Sequence, residues 1–485
     1  MCSEQFSKKN MMLNNKISFW GDTLIYGIGF LFLRAISFLL LPLYTNLLST
    51  NDVGLVFLLY TFLAFMNTIY SHGMDSALLK FFNTAPTNKV ITTSFCYSFL
   101  LGLFFSAGLY FLYFIGENQV LNVTPIMSYQ IVWCLIVILF SDMLSSRLIT
   151  LVRLFNMPYY YLFVCLMNVI LSVGLNYYFI HSLGLGLSGV IYALVCVSAV
   201  QIMILSPMLF RSLNPSSFDY ILLQKMIKFS WPFLPASIFF ILIEMADRWM
   251  LGYLSNVATV GLYGAGYKIG SIILLIVKSF NLNWQPYYLS ANQDSNKINS
   301  FQSIGTQLLL MLIYCCTILS LVWPLLFNLH VGQFYFIGQN FWEGGKIIPI
   351  IGLSYVFYGL FILQMPSIYL KNKERWVPLF WGLGLIINIS GNVLLIPQYT
   401  IYGAAISTLL AYSCMSVFLI YKNHLWLPIY YKIRPIACLL CVSIATYVLA
   451  IYQSQTPPIL LILLIVYIIM GLYYIKSKVN LFTRL

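Results

Sequence analysis

The chain has 485 residues, of which 61% are hydrophobic and only 8% charged, with a formal net charge of +13. An average soluble domain carries about 25% charged residues, so this composition excludes a soluble globular protein. Runs of 18 or more apolar residues recur along the whole length, the signature of spanning helices. The chain is therefore read as an all-α polytopic membrane protein.

In chain order, Lys8, Lys9 and Lys16 precede an apolar run from Ile17 to Tyr44, far longer than the apolar region of a signal peptide. The first helix is thus expected to act as its own insertion signal. Spans are predicted at about 20–45, 53–76, 90–115, 126–150, 158–181, 186–210, 229–253, 260–281, 303–328, 346–370, 376–397, 400–421, 435–453 and 458–475, about fourteen helices. Lys80 and Lys89, Arg153, Arg211 with Lys225 and Lys228, Lys297, Lys371 with Lys373 and Arg375, and Lys422 with Lys432 and Arg434 fall in loops on one side, that of the N-terminus. Lys476, Lys478 and Arg484 join them. Such an asymmetry places both termini in the cytoplasm. It also accounts for the positive charge as a basic membrane rim, with no nucleic acid involved.

Charges inside the spans carry the functional signal, because an arginine or aspartate at a helix centre costs roughly 2.5–3.5 kcal/mol on insertion scales and normally faces a protein interior or a watery cavity. Arg34 lies deep in the first span, and its neighbours Phe30, Leu31, Ser37 and Phe38 offer no carboxylate. It needs a partner on another helix, water or an anionic ligand. Asp142 and Arg147 stand five apart on the fourth span and are weaker candidates for the same path. On the seventh, Glu244, Asp247 and Arg248 share one helix face at i, i+3 and i+4. Two readings fit them: a self-neutralised cluster, or a cavity face on which Arg248 holds an anion and Glu244 and Asp247 bind a coupling Na⁺ or H⁺. Lys268, on the eighth span, either snorkels outward or joins that cavity. Pro42, Pro232 and Pro235 are the expected hinge positions.

The chain also carries an internal echo. Leu48-Ser49 before Val53-Gly54-Leu55 matches Leu254-Ser255 before Val260-Gly261-Leu262, an offset of about 206–207 residues. With an even number of spans between them, the copies form a parallel repeat about an axis along the membrane normal. The expected domains are a six-helix lobe over 1–215, a second over 216–425, and an accessory C-terminal helical hairpin with a cytoplasmic tail over 426–485.

Catalytic and cofactor signals are poor. The loops are too short for a catalytic domain, and neither a phosphate-binding Gly-x-x-x-x-Gly-Lys loop nor a His-Glu-x-x-His zinc motif occurs. The four histidines, His72, His181, His330 and His424, are scattered. Nine of the ten cysteines fall in predicted spans, Cys2 excepted, and are read as packing residues. No enzyme, metal or organic cofactor is expected.

Several segments together resemble a known family. They are Phe32-Leu33-Arg34 through Leu41-Pro42-Leu43-Tyr44-Thr45, the Ser49 to Val53-Gly54 loop, Gly73-Met74-Asp75 leading to Lys80-Phe81-Phe82, and Phe229-Ser230-Trp231-Pro232 through Asp247-Arg248 to Val260-Gly261-Leu262-Tyr263. Over roughly residues 17–425 the chain is similar to Wzx-type oligosaccharide flippases of bacterial polysaccharide biosynthesis. These belong to the multidrug/oligosaccharidyl-lipid/polysaccharide exporter (MOP) superfamily. The resemblance implies two six-helix lobes around a central cavity that alternates between inward-open and outward-open states in a bacterial inner membrane. It implies an undecaprenyl-diphosphate-linked oligosaccharide as substrate, membrane lipid as surroundings, and the polymerase and chain-length proteins of the same pathway as partners. Arg34, Arg248 and Lys268 are the cations expected to meet the diphosphate. Two alternatives stand beside this: a multidrug cation antiporter of the same superfamily, against which the basic cavity argues, and a membrane-embedded polymerase, for which Glu117 and Glu343 make a poor catalytic pair.

Overall fold

A computed structural model of the protein describes residues 25–29, 31–82, 85–118, 129–231, 233–289, 295–452, 465 and 467. The first helices are α1 (Ile25–Leu47), α2 (Thr50–Ser71), α3 (Met74–Phe81), α4 (Thr87–Asn118), α5 (Tyr129–Leu154), α6 (Pro158–Tyr177), α7 (Gly186–Ser212) and α8 (Tyr220–Ser230). After them come α9 (Phe233–Leu254), α10 (Val257–Gly270), α11 (Ile272–Leu289), α12 (Ser295–Asn328), α13 (Trp342–Gly345), α14 (Ile348–Leu370), α15 (Val377–Tyr399), α16 (Ile401–Trp426) and α17 (Ile433–Tyr452). Among the described residues, β structure is confined to one antiparallel ladder pairing His330 with Tyr335 and Val331 with Phe334.

Ten of these helices are long and apolar enough to cross a membrane, or eleven when α10 and α11 count as one span bent by 44°. α9, at 22 residues, is as long as the shortest of them and is set apart by its three charged side chains. Thirteen of the predicted spans coincide with helices, whereas the last, 458–475, lies outside the described residues except for 465 and 467. The eighth span departs from the prediction in one respect. It is a broken helix, because the chain bends at Ser271, whose backbone N–H bonds back to the Tyr267 carbonyl and whose hydroxyl bonds to the Lys268 carbonyl.

The chain forms two compact units. The first comprises residues up to Leu48 together with Phe62–Ile238; the second comprises Ser49–Thr61 together with Phe239–Leu485. In the first, Met74 and Leu78 of α3, Ile91 of α4, Leu151 of α5, Leu205 of α7 and Met226 of α8 make one core. The second is built on α14, which packs on α10, α11, α12 and α16. A helix apolar all round is expected to be buried in this way.

Lipid tails are as apolar as leucine, so spanning helices associate through close van der Waals packing, which small residues permit. The two similar segments singled out in the sequence make such a contact within the second unit. A Cβ on Gly54 would run into the Val257 carbonyl, and one on Gly261 would run into the Thr50 carbonyl. The two segments thus meet, each glycine against the first turn of the other's helix. Further along α10, Gly264 abuts the Phe57 ring and Gly266 abuts the Gly344 carbonyl. These glycines seat α10 tightly against α2 and α13.

Candidate functional site

The charged face of α9 is closed over by tyrosines from three other helices. Arg248 donates through Nη1 to the Glu244 backbone carbonyl at 2.8 Å and to Asp247 Oδ1 at 3.3 Å. Its guanidinium lies 4.2 Å from the centre of the Tyr267 ring, a cation–π contact strengthened by desolvation. Asp247 also accepts from the Arg248 backbone N–H at 2.8 Å and from the Tyr263 hydroxyl.

Glu244 has a different shell. Tyr412 of α16 donates to Oε1, and Tyr355 of α14 stands 3.3 Å from Oε1 and 3.2 Å from Oε2. Tyr267 reaches Oε2 at 3.5 Å, and its hydroxyl also bonds that of Tyr355, with either oxygen able to donate. Tyr358 packs its ring on Tyr412 at 5.2 Å. Glu244, Asp247, Arg248, Tyr263, Tyr267, Tyr355 and Tyr412 are all buried.

The energetics follow from the sequence of α9. A buried charge is tolerated only when it is paired and hydrogen-bonded, and the three ions leave one net negative charge. Hydroxyl dipoles aimed at Glu244 offset it. Tyr263 and Tyr267 sit at i and i+4 and therefore face the same neighbour. The residues that sequence reasoning missed are these tyrosines. The i, i+4 pair on α10 was a signal within reach; Tyr355 and Tyr412 lie in apolar runs that do not distinguish them from packing aromatics.

Of the sequence-predicted site residues, Glu244, Asp247 and Arg248 come together. Lys268 follows Tyr267 on α10 and is half-buried. Arg34 lies on α1 of the first unit and is exposed. Asp142 and Arg147 have separate partners. Asp142 accepts from Ser198 at 2.8 Å and from Asn67 at 3.4 Å, while the fully buried Arg147 donates to the Met143 and Ser71 carbonyls at 3.1 and 3.4 Å and stands 3.9 Å from Asp75. Asn46 and Thr45 bond to the Pro42 carbonyl at 2.7 and 3.3 Å. Pro235 falls in the first turn of α9, where a missing N–H costs no helical bond. Pro232 lies outside the described residues. Among those residues, no group of three or more His, Cys, Asp or Glu side chains is placed to hold a metal ion.

The helix order, the broken eighth span and the buried charges on the seventh define an all-α multi-pass membrane protein. Three solved structures share its fold. The lipid II flippase MurJ in an inward closed conformation matches with a TM-score of 0.71 at 14% identity, covering 94% of this chain and 100% of that chain. A multidrug resistance MATE family transporter of the MOP superfamily matches in its inward-facing conformation with a TM-score of 0.64 at 12% identity, over 84% of this chain and 95% of that one. An outward-facing one matches at 0.56 and 12% identity, over 86% and 96%. At these identities the likeness is one of fold. A search of curated proteins found no match. The family model described as polysaccharide biosynthesis protein matches residues 19–292, more than half of the chain, and the protein belongs to that family.

Proposed function

We propose that the protein is a flippase. It moves an undecaprenyl-diphosphate-linked oligosaccharide repeat unit from the cytoplasmic to the periplasmic leaflet by alternating access, for the biosynthesis of a surface polysaccharide such as O-antigen, capsule or exopolysaccharide. The observation that carries this reading is membership of the polysaccharide biosynthesis family in a chain whose fold is shared with a lipid II flippase. In it the protein is a carrier rather than an enzyme, sits in the bacterial inner membrane with both termini in the cytoplasm, and presents Arg34 and Lys268 to the anionic diphosphate. Arg248, already engaged by Asp247 and Tyr267, serves the coupling cluster.

The coupling ion in this reading is a proton, taken up by Glu244. As a carboxylate, Glu244 accepts tyrosine O–H bonds. Once protonated, it can donate to a tyrosine oxygen, and the Tyr267–Tyr355 bond, open to either direction, reverses to suit. Both states stay hydrogen-bonded. Na⁺ is a poorer fit, because hard cations need several oxygen lone pairs, whereas here hydroxyl protons and the Arg248 charge surround the carboxylate.

The test is depletion of the protein in its host followed by locating lipid-linked oligosaccharide. Accumulation of complete units on the cytoplasmic face, with surface polysaccharide lost, is the expected result; accumulation on the periplasmic face refutes it in favour of a polymerase. The fold shared with multidrug transporters supports a second reading, cation antiport, which would give an unchanged lipid-linked pool and raised sensitivity to cationic drugs.

A further inference from the structure

The short helix α8 has two faces that do different things. Leu222, Leu223, Met226 and Ser230 are buried, and Leu222 and Met226 enter the core of the first unit. The opposite stripe, Ile221, Gln224, Lys225 and Lys228, is exposed, at the i, i+3, i+4, i+7 spacing of one helix face. Tyr220 at one end is 64% exposed, Ile221 66% and Trp231 at the other end 62%.

A stripe facing acyl chains would carry no lysines at its middle, and a water-facing one scatters its large apolar side chains singly. This stripe has large aromatic and aliphatic side chains at its ends and lysines between them, the composition of the boundary between membrane and water. Its position agrees, because the chain enters α8 from α7 and leaves it into α9, two helices of spanning length. Polar clasps hold it there. Asp219 caps its N-terminus by accepting from the Leu222 N–H at 3.0 Å and pairs with Lys89 at 3.4 Å, and the Thr93 hydroxyl accepts from the Asp219 N–H at 3.0 Å.

The outer stripe of α8 carries charge of one sign, the capping Asp219 being paired with Lys89. α8 contains Lys225 and Lys228 and no acidic residue. Lys80, exposed on the adjoining α3, lies 3.8 Å over the Phe229 ring, adding a third cation near the C-terminal end, where the helix dipole is negative. We propose that the outer face of α8, with Lys80, is a binding surface for anionic phospholipid headgroups. Tyr220, Ile221 and Trp231 enter the headgroup layer, and the three ammonium groups bind phosphate. This surface is independent of the cargo and depends only on the protein residing in a membrane.

The test uses the full-length protein in lipid nanodiscs, reading Trp231 fluorescence as the difference between the wild type and Trp231→Phe. The quenchers are phosphatidylglycerol and phosphatidylcholine brominated near the headgroup end of the acyl chain. Both are expected to quench, brominated phosphatidylglycerol several-fold more at equal mole fraction. The Lys225→Gln/Lys228→Gln pair, which leaves the buried face intact, should remove most of that preference and bring quenching by the two lipids close to equal. Equal quenching by the two lipids in the wild type overturns the proposal. Quenching by aqueous iodide in place of brominated lipid places the face in water, open to a soluble partner, and overturns it too. If anionic preference appears only for an added lipid-linked diphosphate, the surface serves the transported molecule and the phospholipid assignment fails.

Discussion

Gly261→Ala is the most demanding test of the packing in the second unit. A Cβ at this position would strike the Thr50 carbonyl and stand 3.1 Å from the Gly54 backbone nitrogen. Both obstacles are main chain in a helical turn, so neither can rotate away, and the helices must separate. Overpacking of this kind costs about 1–3 kcal/mol, roughly a 5- to 150-fold shift against the packed arrangement. The assay is the thermal unfolding midpoint in a fixed detergent, with Gly174→Ala as control, since a Cβ there meets nothing within 4 Å. Ala in a helix interior is intrinsically better than Gly by roughly 0.5–1 kcal/mol, so the two variants should move the midpoint in opposite directions. Gly54→Ala should resemble Gly261→Ala, and the double variant should fall short of the sum because both open the same contact. A midpoint for Gly261→Ala at or above wild type would refute the reasoning.

Other perturbations address the site. Glu244→Gln keeps an oxygen for the tyrosine hydroxyls but cannot exchange a proton, so flux in proteoliposomes should lose its dependence on a pH gradient while the protein still folds; pH-gradient-driven flux at the wild-type level would exclude Glu244 as the coupling group. Tyr412→Phe removes one donor to a buried carboxylate, a loss of roughly 1.5–3 kcal/mol for a bond to a charged group, readable as a lowered unfolding midpoint. Arg34→Ala should abolish transport with normal membrane insertion, and Arg34→Lys should retain part of it, because a point charge replaces a forked donor; normal flux in Arg34→Ala would remove that residue from the headgroup role. The Leu222 N–H, and then Lys89, hold the Asp219 carboxyl below its ordinary range. Its cap on α8 is therefore expected to persist above the usual carboxylate range and to weaken as pH falls through the depressed value, as followed by amide exchange at Leu222; exchange that stays protected in acid below that value would contradict it.

What the sequence by itself determined was the class, the order of thirteen of the spans, and the residues that have no business in hydrocarbon. The bilayer imposes length and apolarity on every span, so these features are local and can be read one helix at a time. The matching segments around Gly54 and Gly261 were legible too, because their likeness lies in the order of residues. Only tertiary structure decided what those residues touch. Glu244, Asp247 and Arg248 were visible as a helix face, but whether that face is open or sealed depends on Tyr355 and Tyr412, which lie 111 and 168 residues from Glu244. In an apolar run a tyrosine that packs and a tyrosine that bonds a carboxylate look alike. Asp142 and Arg147 show the same limit, since five residues of separation on one helix did not reveal that one bonds Ser198 and the other stands by Asp75. Spacing along a helix gives direction, whereas partners are set by which helices pack, and that is decided by close approaches such as Gly261 to Thr50, contacts between segments distant in sequence.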